Sequence, residues 1–368
     1  MAKVSQRNQQ RVFVTDCEGP ISKNDNAYEL AAAIIPDGDH VFSLISKYDD
    51  ILADIIKKPD YKAGDTLRLI LPFLKAYGAT NKSIVEFSAD NVLLVPGAKD
   101  TLTFVQSNVP SFIVSTSYEQ YIASLCELTG FSFDNTYCTL LDLDKYYVTP
   151  EEATWIRQLA AEIAAMPMIE IADDIETVND FSPRDQGTIM LLDDIFWNQF
   201  STMEAGKMLE EVNPVGGTQK ARAVLDIIKR LRCGLDHIMY VGDSITDAQA
   251  LKLVRDNGGL AVSFNGNDYA VKSADVAVLS GNTVVTSVLA DAFFRNGKEE
   301  ALNLVKNWNK AGLKKYCKNS ELRNQMLSVF PEVFPVVDIV QSDTVKRLIN
   351  ESNIFRKTVR GEAIGQLG

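Results

Sequence analysis

Four separated stretches of this 368-residue chain end in side chains that can do chemistry. In "RVFVTDCEGPIS" an apolar run stops at Asp16. Glu18 follows two residues on, and Gly19 and Pro20 turn the chain. In "SFIVSTS" a second apolar run stops at Ser115 and Thr116. Lys220 stands at the start of a helical pattern entered through Gly216 and Gly217, and Asp243 and Asp247 share the loop after "HIMYVG". An acid at a strand tip is either a solvated cap or a site. Acids gathered in one pocket repel and raise each other's pKa. A hard cation such as Mg²⁺, which takes oxygen ligands, resolves that conflict. A phosphate monoester fits the same set. The cation and Lys220 would offset its charge, while the hydroxyls and nearby N–H groups would hold its oxygens. A carboxylate can then attack phosphorus as a covalent nucleophile.

The elements that must position these groups follow from the hydrophobic pattern. Apolar runs at 11–15, 111–115, in "NTYCTLLDLD", in "HIMYVGDSITD", in "GLAVSFNGN" and in "ADVAVLSG" read as short strands. Three- and four-residue apolar spacing predicts helices through most of 25–90, 145–212 and 298–360. Strands alternating with helices predict an α/β fold, a doubly wound Rossmann-like parallel sheet with helices on both faces. Ligands of such sheets sit beyond the carboxyl ends of the strands. Asp16, Ser115 and Asp243 are therefore expected along one edge.

Composition narrows the classes. A net charge of −12 argues against broad contact with a nucleic-acid backbone. The five cysteines form no C-x-x-C pair, which predicts reduced thiols and no zinc site. The polar start, "MAKVSQRNQQ", has no apolar h-region, and no run reaches 18 apolar residues. A cytoplasmic protein with no membrane contact is expected. The acidic stretch "IEIADDIETVNDF" reads as a solvated surface.

Taken together, "VFVTDCEGP", "FIVSTS", "GGTQKARAVL" and "YVGDSITDAQAL", in that order, resemble the four motifs of the haloacid dehalogenase superfamily, in its phosphoserine-phosphatase-like branch. The resemblance implies an Mg²⁺-dependent phosphatase of small phosphorylated metabolites. Asp16 would be the nucleophile and Glu18 the acid/base. Ser115, Thr116 and Lys220 would bind the phosphoryl group. The metal would be held by Asp16, the Glu18 carbonyl and Asp243, with Asp247 supporting the metal or orienting Lys220. Asp25 takes the place of an acid that contacts a substrate amine, and Arg68 lies two positions before the place of a carboxylate-binding arginine. Glu18 stands where most relatives have Asp, one methylene shorter. This feature also marks a branch that transfers phosphate to an alcohol.

The expected organisation is a core of 11–20, 93–144 and 213–297. A helical cap spans 21–92, a helical insertion 145–212 and a helical extension 298–368. A phosphotransferase using the same intermediate is the alternative, as is a non-turnover binding or assembly subunit with a protein partner on its helical extensions. The likeness extends to an archaeal group of predicted phosphatases, some bearing the name energy-converting hydrogenase A subunit R.

Overall fold

The computed structural model describes residues 10–172 and 175–367. The polar N-terminus and the Asp173–Asp174 pair of the acidic stretch lie outside the described residues. Seven strands form one sheet: β1 (Val12–Thr15), β2 (Ser111–Tyr118), β3 (Thr136–Thr139), β4 (Ile238–Gly242), β5 (Leu260–Phe264), β6 (Val276–Leu279) and β7 (Val336–Ile339). Their order is β3-β2-β1-β4-β5-β6-β7. All neighbours are parallel except β6 and β7. This is the doubly wound arrangement that the alternating pattern predicts. The central strands are buried along their whole length, as β1, β4, β5 and β6 show. Burial on both faces is why they read as continuous apolar runs.

Two strands depart from expectation. β7 lies inside the extension expected to be helical. Its run is four residues long, too short for periodicity to separate strand from helix. β2 continues three residues beyond Ser115, and its pairing with β3 is irregular between Val114 and Tyr118. Such irregularities re-aim side chains at sheet rims.

Apolar cores sit on both faces of the sheet. One contains Phe13, Met239 and Val262, the other Val14, Tyr240 and Val224. A third core fills the helical layer above the strand ends. It joins residues from 27–84 and 141–212, so the expected cap and the expected insertion share one interior. Phe73 meets Phe200 edge-on at 5.5 Å, and Tyr48 stacks on Phe196 at 5.8 Å. Among the described residues no helix is long and apolar enough to cross a membrane.

The final helix, Val345–Arg360, buries Leu348, Ser352 and Arg356. Their four-residue spacing puts them on one face. Leu348 packs with Val271, Ala277 and Leu279 at the β6 end, and Ser352 Oγ donates to the Gly266 carbonyl at 2.6 Å. Leu367, seven positions past Arg360, reaches the core of the helical layer.

Candidate active site

The sheet order reverses between β1 and β4. After β1 the chain builds β2 on one side, then returns to place β4 on the other. Thr15 lies opposite Val241, and the Asp16 N–H donates to the Val241 carbonyl at 2.8 Å. Two strand ends thus carry Asp16 and Asp243 to one crevice, the usual ligand position of such sheets. Lys220 arrives on the helix Thr218–Leu231. Gly216, just before that helix, lies against the backbone of Ala63, where a Cβ would meet the Ala63 oxygen at 2.3 Å.

Lys220 Nζ donates to Asp16 Oδ2 at 2.5 Å and to Asp247 Oδ1 at 2.8 Å. All three groups are buried. Burial alone would lower the Lys220 pKa. Asp16 and Asp247 outweigh it and raise the pKa, so the ammonium persists. The Asp16 carboxyl is pushed up by burial first and Asp247 second, with Lys220 opposing. Asp247 is held on every side. Tyr240 donates its hydroxyl to Oδ1 at 2.8 Å, and the N–H groups of Asp243 and Ser244 donate to Oδ2 at 3.1 and 3.2 Å. A carboxylate so engaged positions Lys220 and the Asp243 loop. Of the two roles left open for Asp247, orientation is the one its contacts favour.

Glu18 faces the helical layer, where its Oε1 accepts from the Asn26 N–H at 2.7 Å. Burial, then Asp25, pushes its carboxyl well above the usual range, with the Asn26 N–H opposing. Asp25 also lines the cavity, and its Oδ1 caps the helix Asn26–Ile34 through the Tyr28 N–H at 3.0 Å. Ser115 is buried at the cavity wall beside Ser117, whose Oγ lies 3.0 Å from its own. Thr116 also lines the cavity, with its hydroxyl donated to the Val215 carbonyl at 3.2 Å. Cys17 turns away into an apolar cluster with Ile113 and Tyr121, where burial pushes its thiol up.

Arg68 is not at the site. Its guanidinium donates to Asp65 at 2.5 Å and to the Leu209 carbonyl at 2.8 Å, tying two parts of the helical layer together. It stands on the helix Thr66–Leu69, where Thr66 and Leu67 face the cavity and Arg68 does not. The expectation for a substrate-binding Arg68 is corrected accordingly.

The cavity over these groups measures about 90 Å³. Its third wall is the C-terminal helix, which the four motifs do not cover. Arg356 pairs with Asp243 Oδ2 and donates to the Asp243 carbonyl at 3.0 Å. Arg360 donates to the same Oδ2 at 3.2 Å, to the Lys23 carbonyl at 3.0 Å and to the Asn24 carbonyl. The signal for both was present as arginines four apart on one helix face, but nothing local says which surface that face meets.

The residues present fit a hard divalent cation. Asp16, Asp243 and Asp247 each offer a carboxylate oxygen within 4.8 Å of the others, all buried. Gly19 clears the space: at φ +101° a Cβ there would lie 2.3 Å from Asp243 Cγ. Only glycine accepts that conformation and that approach together.

No family model matches the chain. A copper-transporting ATPase 1 of Rhizobium meliloti (strain 1021) is 38% identical over 78 residues, which are 20% of this chain and 9% of that ATPase. A substrate-bound phosphoserine phosphatase aligns with TM-score 0.44 at 12% identity, over 77% of this chain and 98% of its own, a likeness too slight to argue from. The gene product AF1437 of Archaeoglobus fulgidus aligns with TM-score 0.76 at 26% identity, over 98% of this chain and 99% of its own. The whole architecture, and not the sheet alone, therefore recurs in a solved protein.

Proposed function

We propose that the chain is an Mg²⁺-dependent phosphomonoester hydrolase of the haloacid dehalogenase type, acting on a small phosphorylated metabolite. The observation that carries the reading is the buried Asp16–Lys220–Asp247 chain beside Asp243, with Glu18 facing the same cavity. Asp16, Asp243 and the Glu18 carbonyl would hold the metal. A bound Mg²⁺ supplies charge neutralisation, for the carboxylates and for the phosphate oxygens alike. Lys220 and Ser115 would hold the phosphoryl oxygens. An Asp16 oxygen attacks phosphorus, the P–O bond to the alcohol breaks, and the leaving alkoxide takes the Glu18 proton. The Glu18 carboxylate then takes a proton from water. That water attacks phosphorus, the bond to Asp16 breaks, and inorganic phosphate leaves. A panel of small phosphomonoesters with Mg²⁺ tests this. Asp16→Asn is expected to cost about a thousandfold or more in kcat, and equal turnover would sink the mechanism.

Glu18, the longer acid that also marks a phosphate-transferring branch, favours one second reading, transfer of the phosphoryl group to an acceptor alcohol. Product analysis with added alcohols separates the two. The narrower likeness to hydrogenase subunits would require a stable protein partner on the helical extensions, which co-purification would reveal. The described cysteines are buried and unpaired, which fits a reducing, cytoplasmic setting.

A further inference from the structure

The C-terminal helix brings two cations into a cavity whose other charged lining residues, from the motifs and from the helical layer alike, are acids. Leu348, Ser352, Arg356 and Arg360 lie on one stripe, and the first two serve as its anchor on the sheet end. The stripe therefore aims the next two at Asp243, over a hundred residues away in sequence. Arg356 is 2% exposed, and burying a guanidinium is costly unless it is paired. Its pairing is incomplete. Both guanidiniums share one oxygen, Asp243 Oδ2, and Arg356 Nε has no acceptor among the described residues. A buried donor without a partner is rare enough to call for a reason.

The reason lies in what lines the cavity. Asp16, Glu18, Asp25, Asp49, Asp50 and Asp243 all face it, and among the described residues that line it Arg356 and Arg360 are the basic ones. Both reach it through Asp243, beside the groups that would hold the metal. A phosphate dianion entering this acid-rich space needs cationic partners in addition to a bound metal. Without the two arginines the cavity wall would present acids with no side-chain cation among them.

We propose that Arg356 and Arg360 are the charge clamp for the substrate's phosphate dianion, supplied by the C-terminal helix. The inference rests on the phosphomonoesterase reading above. It also narrows the substrate class. The clamp favours a fully ionised monoester.

Titration calorimetry on the full chain tests this with two probes, Mg²⁺ alone and then inorganic phosphate in saturating Mg²⁺. Arg356→Gln and Arg360→Gln each remove a cation beside Asp243. They are expected to tighten Mg²⁺ several-fold and to weaken phosphate about 10- to 100-fold. Arg356→Lys keeps the charge, so it should leave Mg²⁺ near wild type and weaken phosphate less. Arg347→Gln removes a cation from the same helix away from the cavity and should change neither. Opposite signs for the two probes support the clamp. If both probes weaken, the arginines only staple the helix in place, and the clamp is overturned. If both tighten, the helix is a plug, and the clamp is equally overturned. Wild-type protein that binds no phosphate in Mg²⁺ overturns the parent reading and the clamp together, and so is told apart from the other failures.

Discussion

Replacing Lys220 with Met tests whether the chain through Asp16 and Asp247 is ionic at its centre. Methionine keeps most of the buried stem volume, so the cavity penalty is small. What is lost is the ammonium, with contacts of 2.5 and 2.8 Å to two buried carboxylates. At an effective dielectric of about 20, each contact corresponds to roughly 6 kcal/mol of attraction before desolvation. Desolvation cancels much of that, and stripping one partner from a buried pair typically costs about 3–5 kcal/mol. Lys220→Met should therefore lose about 3–5 kcal/mol, a large part of the roughly 5–15 kcal/mol that holds a domain. Urea denaturation in EDTA reads this directly. The lysine pKa is raised in the folded protein, so its contribution is present below the unfolded value and fades only above the folded one. Added Mg²⁺ offsets the same carboxylates and should shrink the gap between variant and wild type. A loss under about 1 kcal/mol, or one indifferent to Mg²⁺, would refute the ionic account.

Asp49 gives a pH-dependent test in the helical layer. It is buried, its Oδ2 accepts from the Gly64 N–H at 2.8 Å and Thr66 Oγ1 at 3.0 Å, and burial, then Asp65, raises its carboxyl to about 6. A raised acid stabilises the fold below its unfolded pKa and loses that contribution as pH rises through the folded value. The shift is about two units, so wild type should lose ~3 kcal/mol relative to Asp49→Asn on going from acid to neutral pH. Parallel urea curves for the two proteins at every pH would contradict this. Arg68→Met separates the two roles weighed for that residue. Loss of its contacts to Asp65 and Leu209 should lower stability by about 2–3 kcal/mol and leave KM unchanged, whereas a substrate-binding arginine would raise KM at unchanged stability.

The legible part of this chain is the part whose chemistry sits where a local pattern ends. Asp16 and Asp243 follow runs that are buried on both faces, so their position past a strand could be read from the runs themselves. Lys220 could be placed because Gly216 and Gly217 announce the helix that carries it. Elsewhere the same kind of reading met its limit. β7 is four residues long, and length is what distinguishes short apolar runs. Arg68 lay on a helix next to the cavity, and one residue of rotation decides whether a side chain faces a ligand or a neighbouring helix. The shared core of 27–84 and 141–212 depends on which apolar faces meet, which spacing within either segment does not specify.

Arg356 and Arg360 mark the same limit at the site itself. Their four-residue spacing is visible in "NIFRKTVR", but on a helix with so many basic and polar residues it reads as a solvated face. What gives the spacing meaning is Leu348 and Ser352, which dock the helix with that stripe turned inward, and Asp243, which waits at the end of β4. A metal-and-phosphate site assembled only from strand ends would hold more acid than base. The missing base comes from the far end of the chain, so the charge balance of the site is a property of the tertiary fold rather than of any motif. It follows that a chain sharing all four motifs but lacking this helix would need its counter-charges from elsewhere, and the motifs alone do not fix what such a site binds.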